Sequence, residues 1–263
     1  MTETGRKVIW VSGASSGLGK GLALQLAASG HQVIASARNV AELNKLAAHD
    51  ANIVPLVCDI TDENAMDVVR AQMAEISPLL DQVILNAGNC EYLDFPEPDW
   101  SAVRRVMEVN FFGTVNCVKI ALPLLRKCSR DRAHVVAVAS QVTAAPFPRA
   151  EAYGASKAAM RYFFDSLRMD LAADDIDVTV VNPGFVDTPL TRKNDFPMPF
   201  LMPVDEAATR IIKNIAARPR TYSFPLRLSA LLLLSKLMPG LWQKMVAPKT
   251  ETPAKQSEES AGK

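Results

Sequence analysis

Short apolar runs rich in Val, Ile and Ala alternate along the chain with longer segments in which apolar residues recur every three or four positions. Strands that alternate with helices in this way build a parallel sheet with helices on both faces. The pattern predicts strands near residues 7–12, 32–37, 53–58, 82–86, 132–139, 176–182 and 220–224. It predicts helices near residues 17–29, 40–49, 62–76, 99–109, 111–127, 151–173 and 204–217. We therefore expect an α/β fold, a doubly wound parallel sheet of about seven strands in a three-layer α/β/α arrangement.

Length and composition favour one main domain. A chain of 263 residues that is 49% hydrophobic can bury one substantial core. We expect a domain over residues 1–225, an apolar and basic helical extension over 226–248, and a disordered polar tail over 249–263. The net charge is only +1, whereas nucleic-acid binders carry an excess of Lys and Arg. The charge balance argues against a nucleic-acid partner.

Neither a metal site nor a membrane span is expected. The cysteines at positions 58, 90, 117 and 128 form no paired motif and no metal-ligand spacing with the three histidines. The polar first residues and the short apolar run after them do not match a signal peptide. The uncharged apolar stretch at 228–235 falls far short of the roughly 20 residues that span a bilayer. We expect a cytoplasmic protein.

Tyr153 and Lys157 stand four residues apart in a predicted helix, a spacing that places two side chains on one helix face. A lysine ammonium beside a phenol favours the phenolate and lowers a tyrosine pKa that is about 10 when unperturbed. A tyrosine tuned in this way serves as proton donor and acceptor. The spacing alone is weak, and its value comes from the other motifs.

A glycine-rich turn follows the first predicted strand, with Gly13, Gly17 and Gly19 ahead of an apolar helix. Glycine permits a tight turn and close approach to a pyrophosphate, while the helix N-terminus offers free N–H groups. The spacing Gly-x-x-x-Gly-x-Gly therefore predicts a dinucleotide site rather than a loop that only turns a corner.

Other distinctive residues also follow predicted strands. Because the carboxyl ends of parallel strands meet at one edge of a sheet, and ligands bind where the strand order reverses, we expect one shared site. Its members are residues 12–19, Arg38, Asp59, Asn86, Ser140 and Pro183.

Taken together, these motifs resemble the short-chain dehydrogenase/reductase family over about residues 7–225. Ser12 to Gly19 resembles the family's glycine turn, with serine in place of threonine. Asp59 matches the aspartate after the third strand, and Asn86 to Gly88 matches the end of the fourth. Pro183 to Thr188 matches the segment that holds the nicotinamide carboxamide. The resemblance implies a Rossmann fold whose cofactor-binding residues are Gly13, Ser15, Ser16, Gly17, Leu18, Gly19, Arg38, Asp59, Asn86, Ala87, Gly88, Tyr153, Lys157, Pro183, Gly184 and Thr188.

The family's catalytic tetrad is matched by Asn110, Ser140, Tyr153 and Lys157. A carbonyl that accepts hydride develops charge on its oxygen, which needs a hydrogen-bond donor and an acid. Ser140 can be the donor and Tyr153 the acid. The resemblance implies that Lys157 also holds the nicotinamide ribose hydroxyls. It implies that Asn110 fixes a water that links Lys157 to a proton relay.

Cofactor choice depends on the end of the second predicted strand. A carboxylate there would hydrogen-bond a ribose 2′-hydroxyl and repel a 2′-phosphate, whereas an arginine favours the phosphate. Ala37 stands where family members that use NAD usually carry aspartate, and Arg38 follows it. We therefore expect NADP(H) to be preferred over NAD(H).

The substrate leaves a weaker signal. Residues 189–203 contain four prolines and several Phe, Leu and Met residues, and they correspond to the variable lid of the family. With Phe147 and Phe185, this segment favours a lipophilic ketone, aldehyde or alcohol, although ordinary loop packing explains the composition nearly as well. The predicted substrate-binding residues are Ser140, Phe147, Tyr153 and Phe185.

Three functions fit these observations. The first is an NADP-dependent carbonyl reductase or alcohol dehydrogenase, and the second is a 3-oxoacyl-thioester reductase of fatty-acid synthesis. The third is a sensor or scaffold that binds NADP without turnover. The tetrad argues against the third, because a pure binder needs neither Tyr153 nor Ser140.

Assembly into a homodimer or homotetramer is expected. In family members, the helices near 111–127 and 151–173 form the usual dimer contact. The apolar residues taken as evidence for such a surface here are Phe111, Phe112, Val115, Val118, Leu122, Tyr162, Phe163, Leu167 and Leu171.

Charge is unevenly distributed toward the C-terminus. Residues 207–250 contain eight basic residues and no acidic one. Within them, residues 226–246 read as two short apolar helices broken at Pro239 and Gly240, with Trp242 and basic residues at the margins. One interpretation is peripheral attachment to anionic membranes. The alternative is that the leucines cover the sheet or an oligomer contact.

Overall fold

The computed structural model describes residues 5–128 and 132–247. The strands are β1 Val8–Ser12, β2 Gln32–Ala37, β3 Ile53–Val57, β4 Gln82–Leu85, β5 Ala133–Val138, β6 Ile176–Pro183 and β7 Thr221–Phe224. The α-helices are α1 Gly17–Ala28, α2 Val40–Ala47, α3 Met66–Ile76, α4 Ser101–Met107, α5 Gly113–Leu125, α6 Glu151–Asp170, α7 Val204–Ile215, α8 Leu226–Leu237 and α9 Pro239–Val246. The predicted disordered tail lies outside the described residues.

All the strands pair in parallel, in the order β3-β2-β1-β4-β5-β6-β7. The chain builds outward from β1 to β3, and then crosses back so that β4 pairs with β1 on its other side. This order confirms the predicted doubly wound α/β fold. The reversal between β1 and β4 places a ligand site at their carboxyl ends.

Alternation along the strands divides the core into two layers. In β1, Trp10 belongs to the core cluster that includes residues of α3, α5 and α6. Its neighbours Ile9 and Val11 belong to the cluster that includes residues of α1, α2 and α7. Successive side chains of a strand point to opposite faces of the sheet. Both faces are therefore covered, which explains why the strands read as nearly continuous apolar runs.

A π-helical segment, Glu108–Phe112, joins α4 to α5. The sequence predicts two helices, 99–109 and 111–127, with Asn110 between them. The structure instead runs as one helical stretch, in which Thr114 Oγ1 donates to the Asn110 carbonyl at 2.7 Å. A π-segment widens one turn and changes which way its side chains point.

The outer face of α5 and α6 is less apolar than the sequence suggests. Val118 and Leu171 are buried in the core of the chain itself, and Phe111 and Phe163 pack against that core. Phe112, Tyr162 and Met169 remain exposed. The helical period alone assigned too many of these residues to a contact surface. The expected homodimer or homotetramer stays a prediction.

The two C-terminal helices form as the sequence predicts, with Pro239 at the start of α9. They do not stand apart from the domain. Leu228, Leu232 and Trp242 are buried against Ala145 and the partly buried Phe147. One face of the extension therefore packs within the chain.

A matched pair of valines on α3 tests the burial pattern. Val69 is 4% exposed and its neighbour Val68 is 59% exposed. Val69→Ala should lower the free energy of unfolding by about 1–3 kcal/mol, because it leaves a core cavity. Val68→Ala should change it by less than about 0.5 kcal/mol. Urea unfolding of both variants measures the difference, and equal losses would contradict the assigned face of α3.

Candidate active site

The turn after β1 brings two strand ends into close contact. Gly13 has a φ of +68°, and a Cβ on it would lie 2.7 Å from Ala87 Cα, just beyond β4. Ser12 Oγ accepts hydrogen bonds from the backbone N–H groups of Asn86 and Ala87 at 3.0 and 3.2 Å. Glycine adopts this conformation without strain, and it alone leaves room for Ala87. The turn therefore fixes the point from which the two halves of the sheet diverge.

Helix α1 begins within the same turn, with an uncapped N-terminus. Ser16 stands at the N-cap without a side-chain hydrogen bond to the first turn. The first N–H groups of a helix have no partner within the helix and carry partial positive charge. Gly19 lies so close to Gly13 that a Cβ there would overlap the Gly13 carbonyl oxygen. The turn thus offers free N–H groups of the kind that bind phosphate.

A cavity of about 900 Å³ opens at this edge of the sheet. It extends from Arg38 and Asp59 at one end to Tyr153 and Lys157 on α6. The predicted site residues that line it are Gly13, Ser15, Ser16, Gly17, Leu18, Arg38, Asp59, Asn86, Ala87, Gly88, Ser140, Tyr153, Lys157, Pro183, Gly184 and Thr188. Gly19 and Asn110 are buried behind this lining.

The segment after β6 closes the cavity opposite the glycine turn. Gly184 N donates to the Phe224 carbonyl at 2.7 Å, which fixes the chain as it leaves the sheet. Thr188 lies against Gly17, since a Cβ on Gly17 would be 3.1 Å from Thr188 Cγ2. The turn and this segment therefore face each other across the cavity.

Ser140, Tyr153 and Lys157 meet at the inner end of the cavity. Ser140 Oγ accepts from Val142 N at 3.1 Å, and its side chain hydrogen-bonds Tyr153. Lys157 lies one helical turn beyond Tyr153, with its Nζ 5.9 Å from the centroid of the Tyr153 ring. The same Nζ donates to the Val138 carbonyl at 3.0 Å.

The protonation of this group differs from the sequence expectation. Burial raises the pKa of the Tyr153 phenol above its ordinary value, and the hydrogen bond with Ser140 only partly opposes that rise. Burial also lowers the pKa of the Lys157 amine to about 8. The expected lowering of the Tyr153 pKa by Lys157 is therefore wrong for the chain without cofactor. Desolvation is the largest cause of the raised Tyr153 pKa, and Lys157 Nζ donates to the Val138 carbonyl.

Asn110 holds a neighbouring loop in place. Its Oδ1 accepts from Asn89 N at 2.8 Å, and its Nδ2 donates to the Asn89 carbonyl at 2.9 Å and to Ser156 Oγ at 2.9 Å. A Cβ on Gly88 would lie 3.0 Å from Asn110 Oδ1 and 3.4 Å from Lys157 Nζ. Asn110 and Lys157 therefore border the same glycine, and both N–H donors of the Asn110 side chain are already used within the protein.

At the other end of the cavity, Arg38 is exposed and lies 3.8 Å from Asp59. Asp59 Oδ1 accepts from both Thr61 N and Thr61 Oγ1, and these hydrogen bonds and Arg38 hold the pKa of the carboxyl below its ordinary value despite partial burial. Ala37 presents no carboxylate at the end of β2. The end of β2 is thus positive at Arg38, and the nearest acid is already hydrogen-bonded elsewhere.

Phe147 and Phe185 lie apart from the cofactor end of the cavity and are not among the described residues that line it. Both pack against the cluster formed by α8 and α9. The Phe147 ring meets Trp242 edge to face at 5.4 Å, and Phe185 meets Phe196 at 6.2 Å. Their place as substrate residues stays a prediction.

Two neighbouring residues at or beside the cavity, Asn89 and Cys90, were not predicted as site residues from the sequence. Asn89 lines the cavity with a buried Oδ1 that has no hydrogen-bond partner within the described chain. Cys90 hydrogen-bonds Tyr92 and lies near Lys157, and burial raises the pKa of its thiol. Their position directly after Gly88 was the available signal.

An ion-pair bridge fastens the lid to the body of the domain. Arg149 pairs with Asp94 at 2.6 Å and with Asp195 at 2.8 Å. Its guanidinium also lies over the Tyr92 ring, 5.3 Å from the centroid, and Tyr92 Oη donates to Asn194 Oδ1 at 2.8 Å. The segment that carries the predicted apolar wall is therefore held beside Tyr92.

The described residues contain neither a metal-binding cluster nor a membrane-spanning helix. No group of three or more His, Cys, Asp or Glu side chains is arranged to hold a metal ion in residues 5–128 and 132–247. In the same ranges, no helix has the length and apolar character needed to cross a membrane.

Comparison with known proteins gives the same class as the geometry. Residues 7–197 match the family described as short chain dehydrogenase. An uncharacterized oxidoreductase of Myxococcus xanthus is 36% identical over 245 residues, which cover 91% of this chain and 96% of that protein. The 11-beta-hydroxysteroid dehydrogenase A of Sesamum indicum is 34% identical over 193 residues, covering 71% of this chain and 54% of that protein. This chain thus spans about half the length of the sesame relative.

A solved structure resembles the whole described domain. A short chain dehydrogenase from Burkholderia cenocepacia in complex with NADP has a TM-score of 0.79 at 25% identity, covering 92% of this chain and 98% of that one. The chain belongs to the short-chain dehydrogenase/reductase family of oxidoreductases, which bind a nicotinamide cofactor and act on CH–OH and C=O groups.

The cavity walls fit such a cofactor. The turn at Gly13 leaves no room for a side chain, and the first N–H groups of α1 have no side-chain cap, which suits a phosphate. Asn89 Oδ1 is a buried acceptor without a partner, which suits a ligand hydroxyl.

The buried Lys157 should make stability depend on alkaline pH. Its pKa is about 8 in the folded chain against an ordinary 10.5. Between these values the unfolded chain binds a proton that the folded chain does not, so the free energy of unfolding rises with pH. Lys157→Met should lack this component. Urea unfolding from pH 7 to 10.5 measures it as the wild-type value minus the variant value, and a difference that stays flat or falls would refute the burial of the charge.

Proposed function

We propose that the chain is an NADP-dependent oxidoreductase that interconverts a lipophilic carbonyl compound and its alcohol, with Asn110, Ser140, Tyr153 and Lys157 as the working residues. The observation that carries the proposal is that Ser140, Tyr153 and Lys157 line the same cavity as the glycine turn. A bound nicotinamide supplies or accepts a hydride at the reacting carbon. The remaining steps belong to the side chains of the chain.

Ser140 is suited to polarise a carbonyl. Its Oγ already accepts from Val142 N, so the oxygen is fixed and its own proton is available to donate. A donor aimed at the carbonyl oxygen stabilises the charge that develops there. Preorganisation by a backbone N–H means that little has to move during the reaction.

Tyr153 is suited to act as the acid. Burial raises the pKa of its phenol, so the proton is held at neutral pH and is available to an alkoxide, which is a far stronger base. Lys157, whose pKa is lowered to about 8, is still mostly charged at neutral pH and stabilises the phenolate left behind. Asn110 positions the loop that begins at Asn89.

Several observations support a lipophilic substrate. Tyr92 and Phe196 meet edge to face at 5.7 Å on the lid side, and the lid continues into the exposed Phe200 and Leu201. Predominantly apolar walls with a few placed polar groups are typical of small-molecule sites. The sesame relative is named for a hydroxysteroid. Phe147 and Phe185 would extend this wall toward α8.

Tyr153→Phe should lower turnover by orders of magnitude, because the proton donor is removed, while cofactor affinity stays within a few-fold. Ser140→Ala should lose less, since the acid remains. Turnover is followed by NADPH absorbance on a panel of lipophilic ketones and aldehydes, with a sugar and a 3-oxoacyl thioester included. Tyr162→Phe, an exposed tyrosine on the same helix, is the matched control. Retention of most activity by Tyr153→Phe would remove the mechanism.

NADPH should bind more tightly than NADH by about 1–3 kcal/mol, because Arg38 meets a 2′-phosphate with charge-assisted hydrogen bonds. The exposed guanidinium contacts Asp59 only at 3.8 Å, which leaves its other donors free. The double variant Ala37→Asp, Arg38→Ala should reverse the order.

Titration of each cofactor by fluorescence measures these affinities, and Arg70→Ala on α3 serves as a control for general loss of charge. Equal dissociation constants for the two cofactors in the unaltered protein would overturn the assignment.

A further inference from the structure

Helices α8 and α9 have two unlike faces. On the inner face, Trp242 is 3% exposed and its Nε1 donates to the Pro146 carbonyl at 2.8 Å. Leu228 and Leu232 are buried beside it. The inner face is therefore satisfied within the chain, and any further partner has to meet the outer face.

The outer face is apolar. Large side chains that are exposed on these two helices are Leu226, Leu231, Leu233, Leu237, Met238, Leu241 and Met245. Leu226 and Leu237 are the most open, at 78% and 72%. Single exposed leucines are ordinary, but a group this dense marks a surface that meets an apolar partner.

The charges around this face have one sign. Arg227, Lys236 and Lys244 are exposed, and none of them forms an ion pair with any described residue. Residues 207–250 contain no Asp or Glu, although the whole chain has a net charge of only +1. Leucines beside unpaired cations suit a surface that is apolar inside and anionic outside.

The apolar face continues onto the lid. A depression of about 490 Å³ is lined by Phe200 and Leu201 from the lid and by Leu226 and Arg227 from α8. Glu206 on α7 also lines it, and its carboxylate pairs with Arg210 at 2.9 Å. Phe200 and Leu201 are 43% and 44% exposed. Phe200 and Leu201 belong to the same lid segment as Asn194, which accepts a hydrogen bond from Tyr92 Oη at 2.8 Å, so the apolar surface is continuous with the lid.

We propose that the outer face of α8 and α9, together with Phe200 and Leu201, docks on the surface of a bilayer rich in anionic phospholipid. The leucines and methionines enter the boundary between headgroups and acyl chains, while Arg227, Lys236 and Lys244 contact phosphates. A second copy of the chain is the competing partner. It fits less well, because two such faces would bring Arg227, Lys236 and Lys244 of both copies together, while the acid at the depression, Glu206, already pairs with Arg210. The proposal concerns docking and does not depend on which carbonyl is reduced.

The full chain should sediment with vesicles of phosphatidylcholine and phosphatidylserine at low salt and be released as salt screens the charges. It should bind pure phosphatidylcholine vesicles much more weakly. The triple variant Arg227→Gln, Lys236→Gln, Lys244→Gln should lose roughly a hundredfold in affinity, at about fivefold per basic residue. The matched control is Lys45→Gln, Arg70→Gln, Lys119→Gln, which changes the net charge equally on other exposed sites and should keep full binding.

The contribution of the apolar side chains to vesicle binding is tested separately with the double variant Leu237→Glu, Leu241→Glu. Val68→Glu on α3 is the control. The first should abolish binding and the second should not, with circular dichroism to verify that each variant is folded. Full-length protein that stays in the supernatant with anionic vesicles at low salt would overturn the proposal. So would equal binding by all variants. Light scattering supplies a third contrary outcome, in which Leu237→Glu, Leu241→Glu breaks a dimer and no form of the protein binds vesicles.

Discussion

The whole site depends on how closely the backbone after β1 approaches the backbone after β4. Ser12 accepts the two N–H groups that β4 leaves unpaired at Asn86 and Ala87, and Gly13 has no side chain to keep the strands apart. These contacts hold the reversal of strand order together while the following segments leave in opposite directions. In the cleft between those segments, the N-terminus of α1, Arg38 and α6 all face the same space. The close contact between the backbone after β1 and the backbone after β4 therefore determines where the candidate active site lies.

Inside the cleft, the cost of removing charges from water determines the protonation states. Tyr153 keeps its proton and Lys157 is close to losing one, both because burial disfavours charge. Backbone groups as well as side chains reduce this cost of burying charge. The Val138 carbonyl, for example, accepts a hydrogen bond from Lys157 Nζ. A bound cofactor would replace water there with fixed dipoles and hydroxyls.

The sequence predicted most of the fold and the members of the site, for identifiable reasons. The order of strands and helices follows from local periodicity, and the site residues follow strands that end at a single edge. What failed depends on contacts between distant segments. Asn110, in the π-segment, hydrogen-bonds the Asn89 carbonyl. Burial under other elements raises the pKa of Tyr153. Trp242, on the inner face of α9, donates to the Pro146 carbonyl. The apolar count on α5 and α6 also failed, because a helical period cannot tell a core-facing side from a solvent-facing one.

Gln141, the residue after Ser140, ties the two ends of the domain together. Its Nε2 donates to the Phe224 carbonyl at 2.7 Å, and its Oε1 accepts from Ser229 Oγ on α8 at 3.1 Å. The loop of the proposed catalytic serine is thus anchored on the very segment that carries the outer apolar face. The C-terminal helices and the serine loop therefore form one packed unit. A change that displaced α8 would also remove a hydrogen-bond partner from the residue next to Ser140.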